Sequence, residues 1–284
     1  MATILKKVAE RLASGIKRFQ PVLTNAKSKD VNESDTVIII TDMLADVFGY
    51  DKYAEITSEL AIKGTYCDLA IKLDGKIRPL IEAKAIGIEL KEAHIKQAVD
   101  YAANEGIEWV FLTNAVQWRI YSVTFGQPIG HELVAELNFL ALDPKSDTDL
   151  QSAYLFTKEA LTRDELEEYQ LRRQAMSRFF LGAMILSDPV LAVVRRELRR
   201  MSPDVKIELE QIRAALTEDV LKREVLEGER AEDARKKIAK MQRARAQKDT
   251  GTEEAPTVTP LPTPAAPPPG QVSVVTTDTS GARS

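Results

Sequence analysis

The stretch Tyr66–Lys84 reads Y-C-D-L-A-I-K-L-D-G-K-I-R-P-L-I-E-A-K, and the rest of the chain is organised around it. Two short apolar runs flank Asp74-Gly75, a dipeptide typical of the turn between two antiparallel strands. The pattern predicts a β-hairpin with a three-residue loop, Asp74–Lys76, in which Gly75 adopts a positive φ at low cost. A two-residue loop would shift the pairing by one residue and mix apolar with polar side chains on each face.

The predicted register gives this hairpin one apolar and one polar face, because side chains alternate along a strand. It pairs Leu73 with Ile77 and places Asp68 opposite Glu82. The predicted apolar face carries Leu69, Ile71, Leu73, Ile77, Pro79, Ile81 and Ala83. The predicted polar face carries Asp68, Ala70, Lys72, Arg78, Leu80, Glu82 and Lys84. Two carboxylates and one ammonium are therefore expected close together beside a buried core.

The polar face has the composition of a metal site, because two neighbouring carboxylates repel one another unless a cation lies between them. Mg²⁺ prefers oxygen ligands and retains several waters. Asp68, Glu82 and the carbonyl of Ala83 would hold it, and the ion would activate water and neutralise charge on a phosphate. Lys84 would orient or deprotonate the attacking water, or stabilise the charge of the transition state. The alternative is an ordinary surface face, since short motifs produce many false matches.

These residues resemble the signature of the PD-(D/E)XK nuclease superfamily. Their context resembles more narrowly the N-terminal nuclease domain of type I restriction enzyme R subunits. Asp68 and Glu82-Ala83-Lys84 match the signature, with Cys67 where the family has a proline that is not a ligand. The surrounding matches, within about residues 30–125, are Glu33, Gln97 with Tyr101, Leu112-Thr113-Asn114 and Trp118–Tyr121.

The resemblance implies a restriction-endonuclease-like α/β fold, in which a mixed β-sheet is flanked by helices. It implies hydrolysis of DNA with Mg²⁺, or with Mn²⁺ in its place, in a restriction-modification system. The implied catalytic residues are Asp68, Glu82, Lys84, Glu33, Gln97 and Tyr101, with Asp68, Glu82 and Ala83 as metal ligands. Two alternatives stay open. Glu33 is also a typical first-turn residue of a helix, and Gln97 with Tyr101 also fits a satisfied amide and a core tyrosine.

Composition excludes several classes of protein. The chain has 284 residues and a net charge of −4, which favours solubility and lacks the basic excess common among nucleic-acid binders. One cysteine excludes an intramolecular disulfide framework and a cysteine-rich zinc site, and two histidines exclude a multi-histidine site. No apolar run reaches transmembrane length and no secretory segment is recognisable, so a cytoplasmic location is expected.

Four segments are predicted along the chain. They are a basic N-terminal helix over 1–30 that ends at Pro21, the nuclease-like domain over 31–150, a helical extension over 151–247, and a disordered Pro- and Thr-rich tail over 248–284. In the nuclease-like domain, the patterns predict helices over 36–48 and 89–104, and strands over 53–62, 109–112 and 118–123. The helix 89–104 is expected to connect the hairpin to the strand 109–112, which would then run parallel to the Glu82 strand and be covered on both faces. The strand 118–123 is expected at the edge of the sheet, residues 63–64 in a turn, and residues 126–149 in an extended, turn-rich segment.

The helical extension carries the densest basic cluster of the chain. One helix is expected up to about Leu186, a second from Asp188, and a long charged third from Pro203 to about Ala246. The second helix contains Arg195, Arg196, Arg199 and Arg200. These arginines would contact a DNA backbone or form a solvated face. The third helix offers a coiled-coil surface for a homodimer or a partner protein.

A translocase motor is missing from the sequence. The phosphate loop of such a motor has the form G-x-x-x-x-G-K-[ST]. The only Gly-Lys pair is Gly75-Lys76, and Ala70 occupies the position that the first glycine requires. The expected function is therefore a stand-alone, ATP-independent endonuclease. The alternative is a catalytically inactive nuclease-fold module that binds nucleic acid or protein.

Overall fold

A six-stranded mixed sheet flanked by helices forms the centre of the fold, which confirms the predicted α/β class. The computed structural model describes the backbone of residues 4–62 and 65–250, and the side chains of residues 4–58 and 67–244. It divides into two compact units, Met1–Leu181 and Gly182–Ser284. The predicted turn at residues 63–64 and all but the first residues of the predicted tail lie outside the described residues.

The sheet and its covering helices belong to the first unit. Its helices are α1 (Lys6–Ser28), α2 (Glu33–Asp46), α3 (Lys96–Glu105), α4 (Asp147–Tyr154), α5 (Lys158–Thr162) and α6 (Glu165–Ala175), and α7 (Arg178–Ile185) contains the boundary between the units. Its strands are β1 (Ile56–Ile62), β2 (Thr65–Leu73), β3 (Lys76–Ala83), β4 (Trp109–Thr113), β5 (Gln117–Thr124) and β6 (Gly130–Asn138). The strands lie in the sheet in chain order. Among the strands that the structure describes, only β3 and β4 pair in parallel, through the α3 crossover that a parallel pair needs.

The β2–β3 hairpin has a two-residue turn, so the predicted three-residue loop is wrong. Leu73 pairs with Lys76, and both Asp74 and Gly75 have positive φ. Two successive residues with positive φ match the right-handed twist of the flanking strands. A bulge follows, because Ala70 pairs with Leu80 whereas Lys72 pairs with Ile77.

This bulge restores the predicted register where it matters for the site. One residue of β2 faces two residues of β3, Arg78 and Pro79, and a proline cannot donate to a strand ladder. Beyond the bulge, Leu69 pairs with Ile81, the register that brings Asp68 level with Glu82. Ile77 is the exception, because the bulge moves it to the other face of the sheet.

The sheet separates two apolar cores. The larger core lies between one face and helices α1, α2, α4, α5 and α6, and includes Trp118, Phe111 and Phe156. The smaller core lies between the other face and α3. Strand β4 contributes alternately to both, and all five of its residues are buried, as predicted for a strand covered on both sides. Residues from α4 to α6 belong to the larger core, so the first unit continues beyond residue 150.

Helix α1 runs through Pro21 instead of ending there. A proline costs a helix interior about 3 kcal/mol because it lacks an N–H group and crowds the preceding turn. Leu23 is completely buried beyond it, and burying a leucine contributes about 1.5–3 kcal/mol. Ala26 is buried as well, so the free energy gained by tertiary packing outweighs the tendency of Pro21 to end the helix. Lys7 and Lys17 lie exposed, as expected of a helix that covers the core and keeps its charges in solvent.

Three other features differ from the predictions for a physical reason: the start of α2, the start of α3 and the position of β5 in the sheet. Helix α2 begins at Glu33, before the predicted residue 36, because the Asn32 side chain caps it by accepting the Asp35 N–H. Helix α3 begins only at Lys96, because a 3₁₀ turn occupies Glu92–His94. Strand β5 is not at the edge of the sheet, since β6 pairs along it within the segment predicted to be extended and turn-rich.

The second unit contains α8 (Asp188–Met201), as predicted, and a broken chain of helices after it. These are α9 (Leu209–Ala215), a π-helical turn (Leu216–Val220), α10 (Arg223–Leu226) and α11 (Glu229–Thr250). The single long helix predicted from Pro203 is therefore wrong. Leu221 and Glu227 are extended, and Gly228 has a φ of 90°, none of which fits a helix interior. The helix predicted up to Leu186 is also divided, into α6 and α7. Across the described residues, no helix has the length and apolar content needed to cross a membrane.

A bidentate ion pair fastens α1 to α5. Arg11 donates from Nη1 to Glu159 Oε1 (2.8 Å) and from Nη2 to Oε2 (2.6 Å), and its Nε donates to the Val47 carbonyl at the end of α2 (3.0 Å). Burial alone would raise the pKa of Glu159, but the hydrogen bonds and charge of Arg11 outweigh it, so this pKa is lowered. Both side chains are 26% exposed, so solvent screens the pair only partly.

We expect Glu159→Gln to lower the free energy of unfolding at pH 7 by about 1–2 kcal/mol, because it removes a charged hydrogen-bond acceptor. A lowered folded-state pKa contributes stability above the unfolded-state pKa, and that contribution disappears as the pH falls through the folded-state pKa. The difference between wild type and variant should therefore shrink below about pH 4.3. Urea unfolding of wild type and Glu159→Gln at pH 7 and pH 3.5 measures this difference in the free energy of unfolding.

Glu10→Gln is the matched control, because Glu10 forms only an exposed pair with Lys6 at 3.9 Å. It should change stability by less than about 0.5 kcal/mol at either pH. Equal effects of the two substitutions would contradict a structural role for the Arg11–Glu159 pair.

Candidate metal centre

Asp68 takes the place of a backbone acceptor between β2 and β3. The described backbone pairing of these strands stops at Leu69 and Ile81. Beyond this pair, the Ala83 N–H donates to Asp68 Oδ2 at 2.7 Å. The carboxylate is therefore held against β3 at the point where the two strands separate.

Glu82 and Lys84 meet at the end of β3: Glu82 lies within the strand, and Lys84 follows its last residue, Ala83. Lys84 Nζ lies 2.7 Å from Glu82 Oε1 and 2.6 Å from the Ala83 carbonyl oxygen. The Glu82 and Lys84 side chains are only 15% and 19% exposed, respectively. The Lys84 N–H donates to the Thr113 carbonyl of β4, which fixes the backbone from which the ammonium extends.

Glu33 approaches the same group from helix α2. Its Oε2 lies 3.7 Å from Lys84 Nζ, and its side chain is 50% exposed. The helix is anchored there by Thr36, a fully buried residue whose Oγ1 accepts the Ile86 N–H (3.1 Å). The structure thus brings together four of the predicted residues: Glu33, Asp68, Glu82 and Lys84.

The charges in this group act strongly on one another. Burial raises the pKa of Glu82; the hydrogen bond from Lys84 opposes this, while the charges of Asp68 and Glu33 add to it. Burial alone would lower the pKa of Lys84, but its hydrogen bond to Glu82 and the three surrounding carboxylates outweigh burial, so this pKa is raised. Lys84 is consequently an ammonium at neutral pH. The group therefore contains three acidic side chains and one basic side chain.

Gln97 and Tyr101 do not join this group. Gln97 is exposed, and no hydrogen bond or ion pair among the described residues links it to the four charged residues. Tyr101 is 8% exposed and packs in the smaller core, where its hydroxyl is buried without a hydrogen-bond partner. Its position fits the core tyrosine that the sequence left open, and a role for either residue at a phosphate stays a prediction.

The positioning roles of two residues, Thr36 and Asn114, were not predicted from the sequence. Thr36 joins α2 to the chain after β3, as described above. Asn114 is 5% exposed, donates to the Ile88 carbonyl (2.8 Å) and accepts the N–H groups of Val116 and Gln117. It therefore ties the β4–β5 turn to the segment that leaves the candidate site. An asparagine directly after a buried strand, which is typical of such a turn, was the available signal.

The donor atoms suit a hard divalent cation. Glu82 Oε1 and the Ala83 carbonyl already converge on one cation, the Lys84 ammonium, and the Asp68 carboxylate is bonded to the N–H of the same Ala83. Among the residues whose side chains are described, no group of three or more His, Cys, Asp or Glu is arranged to hold a metal ion. The candidate set is smaller, with two carboxylates and one carbonyl. Such a set fits Mg²⁺, which keeps several waters and needs few protein ligands.

Comparisons of the chain with protein-family models, with curated proteins and with solved structures found no match.

We expect Asn114→Ala to lower the free energy of unfolding by about 2–3 kcal/mol, because it leaves buried N–H groups without an acceptor. Asn104→Ala is the matched control, since Asn104 is exposed and makes one side-chain hydrogen bond, to the Asp100 carbonyl. It should cost about 0.5 kcal/mol or less. Urea unfolding of both variants tests the difference, and equal losses would show that the Asn114 contacts add no stability.

Proposed function

We propose that this protein is a metal-dependent endonuclease that hydrolyses phosphodiester bonds of DNA. The proposal rests on one observation, the convergence of three charged side chains at the edge of a buried core. Asp68 comes from β2, Glu82 from β3, and Lys84 from the residue directly after β3. Their arrangement supports the resemblance to the nuclease domain of type I restriction enzyme R subunits. A role in restriction-modification and a cytoplasmic location belong to the same proposal.

Asp68, Glu82 and the Ala83 carbonyl would hold Mg²⁺, or Mn²⁺ in its place. When bound, such an ion lowers the pKa of water and neutralises charge on a phosphate. Asp68 is positioned by the Ala83 N–H, so its carboxylate needs no reorganisation to act as a ligand. Lys84 is protonated, which suits it to orient the attacking water and to stabilise negative charge on the phosphate, and makes it a poor base. Glu33 would act from α2, at the margin of the site.

DNA contacts outside this centre are proposed for helix α8. Arg195, Arg196, Arg199 and Arg200 lie within two turns of this helix. Glu197 pairs with Arg196 and Arg200 and so neutralises part of the positive charge, whereas Arg199 donates to the neutral Ile207 carbonyl and keeps its charge. The remaining charge supports a salt-dependent contact with a phosphate backbone. The helical extension over residues 151–247, which contains α8, is also the proposed surface for a homodimer or a partner protein.

A catalytically inactive nuclease-fold module is the second candidate. Gln97 and Tyr101 stand apart from the charged group, and Lys84 engages two of the proposed metal ligands. A protein of this kind would bind nucleic acid or another protein without cleaving it. Metal binding and cleavage by the same preparation distinguish the two functions.

We expect the full chain to cut DNA with Mg²⁺ or Mn²⁺, and Asp68→Ala and Lys84→Ala to reduce the rate by about 100-fold or more, a typical cost of losing one charge-stabilising group. The measurement is the initial rate of cleavage of duplex DNA, single-stranded DNA and RNA. Lys72→Ala is the matched control, because Lys72 is an exposed lysine of the same hairpin. It should leave the rate within about twofold, as surface substitutions usually do.

Each outcome of this assay decides between named alternatives. Cleavage that survives both Asp68→Ala and Lys84→Ala would exclude this site as the catalytic centre. No cleavage and no divalent-ion binding by a folded wild type would favour the inactive module. Faster cleavage of RNA than of DNA would correct the proposed substrate.

A further inference from the structure

Lys84 is bonded to two of the three groups proposed to hold a divalent ion. Its Nζ contacts Glu82 Oε1 at 2.7 Å and the Ala83 carbonyl at 2.6 Å. A lysine ammonium has three N–H donors and no acceptor, so it interacts with these oxygens as a small cation would. A metal ion bound by the same two oxygens would lie close to the Lys84 ammonium, and two cations this close repel one another unless the ammonium moves away.

We propose that Lys84 is a tethered cation that occupies the divalent-ion position of this centre, and that an ion enters only by displacing it towards Glu33. This inference rests on the metal site of the proposed function, and it adds that Lys84 controls the entry of the ion. It assigns Glu33 a role in receiving the displaced ammonium, in place of the metal contact that the resemblance implies.

The position of Glu33 supports displacement in that direction. Its Oε2 is 3.7 Å from Lys84 Nζ, slightly beyond hydrogen-bonding distance, and half of its side chain is exposed. Glu82, by contrast, is only 15% exposed, and a buried carboxylate left without a counter-ion is costly. Lys84 can therefore leave Glu82 only when another cation replaces it, and Glu33 is the nearest exposed carboxylate among the described contacts of the ammonium.

The first test is a calorimetric titration of the full chain with Mg²⁺ and with Mn²⁺, without DNA. Lys84→Met keeps the apolar stem and removes the ammonium. It should bind the ion about tenfold more tightly than wild type, because a nearby positive charge and a competing ligand are both removed. Lys72→Met removes the same charge from an exposed position of the hairpin and should stay within about twofold of wild type.

A second substitution separates the two roles of Glu33. If Glu33 receives the displaced ammonium, Glu33→Gln should weaken ion binding in the wild type by about threefold or more, and leave Lys84→Met unaffected. If Glu33 contacts the ion itself, Glu33→Gln should weaken binding equally in both backgrounds, and that result would overturn the assigned direction of displacement.

A third measurement uses only the wild-type chain, so it remains decisive if Lys84→Met does not fold. Lysines are modified with an amine-reactive reagent and located by peptide mass spectrometry, with and without Mg²⁺. Lys84 should react slowly without the ion and several-fold faster at saturating Mg²⁺, whereas the exposed Lys72 should not change. Unchanged labelling of Lys84 at a saturating ion concentration would overturn the proposal.

The remaining outcomes separate this inference from the proposed function. Ion binding by Lys84→Met no tighter than by wild type would overturn the tether and leave the nuclease proposal intact. Tighter binding by Lys84→Met, together with a wild type that cleaves no nucleic acid, would support the tether and overturn the nuclease. No ion binding by any folded variant would overturn both.

Discussion

The hydrogen bond from the Ala83 N–H to the Asp68 carboxylate holds the candidate site together. From Leu73 to Leu69 the two strands pair through their backbones, apart from the bulge. Here the strands separate, and a side chain completes the ladder at 2.7 Å. An unpaired N–H beside a buried core would cost roughly 1–3 kcal/mol. The need to satisfy this group thus places a carboxylate of β2 beside the charged residues of β3.

The electrostatics of the site follow from that placement. Asp68, Glu82 and Glu33 surround a single ammonium, and two of the four side chains are mostly buried. Burial, together with the negative charges of Asp68 and Glu33, raises the pKa of Glu82. The surrounding carboxylates outweigh the opposite effect of burial on Lys84 and keep it protonated. A fold selected for stability alone would gain from replacing such a cluster with apolar residues.

Two errors in the predicted hairpin cancel at the site. The turn has two residues instead of three, which shifts the pairing by one, and the bulge at Arg78-Pro79 shifts it back. The signal for the bulge was present in the sequence, since a proline inside a strand marks a position that cannot donate to its neighbour. A strict alternation of apolar residues concealed it, because Ile77 fits equally well on either face. The Leu69–Ile81 pair therefore agrees with the predicted register, although the turn and the bulge that produce it were not predicted.

The sequence by itself determined the hairpin, the mixed α/β sheet, the parallel β3–β4 pair and the convergence of Asp68, Glu82 and Lys84. Each of these depends on period-two alternation, on a turn dipeptide or on a short crossover, which are local properties of the chain. Only the tertiary structure decided that α1 continues through Pro21, that β6 covers β5, and that Tyr101 enters the core while Gln97 faces solvent. The same holds for the anchoring of the site by Thr36 and Asn114 and for the engagement of Lys84 with the Ala83 carbonyl. These features depend on contacts between residues far apart in the chain, whose burial and hydrogen bonds outweigh local preference and leave no periodic trace in the sequence.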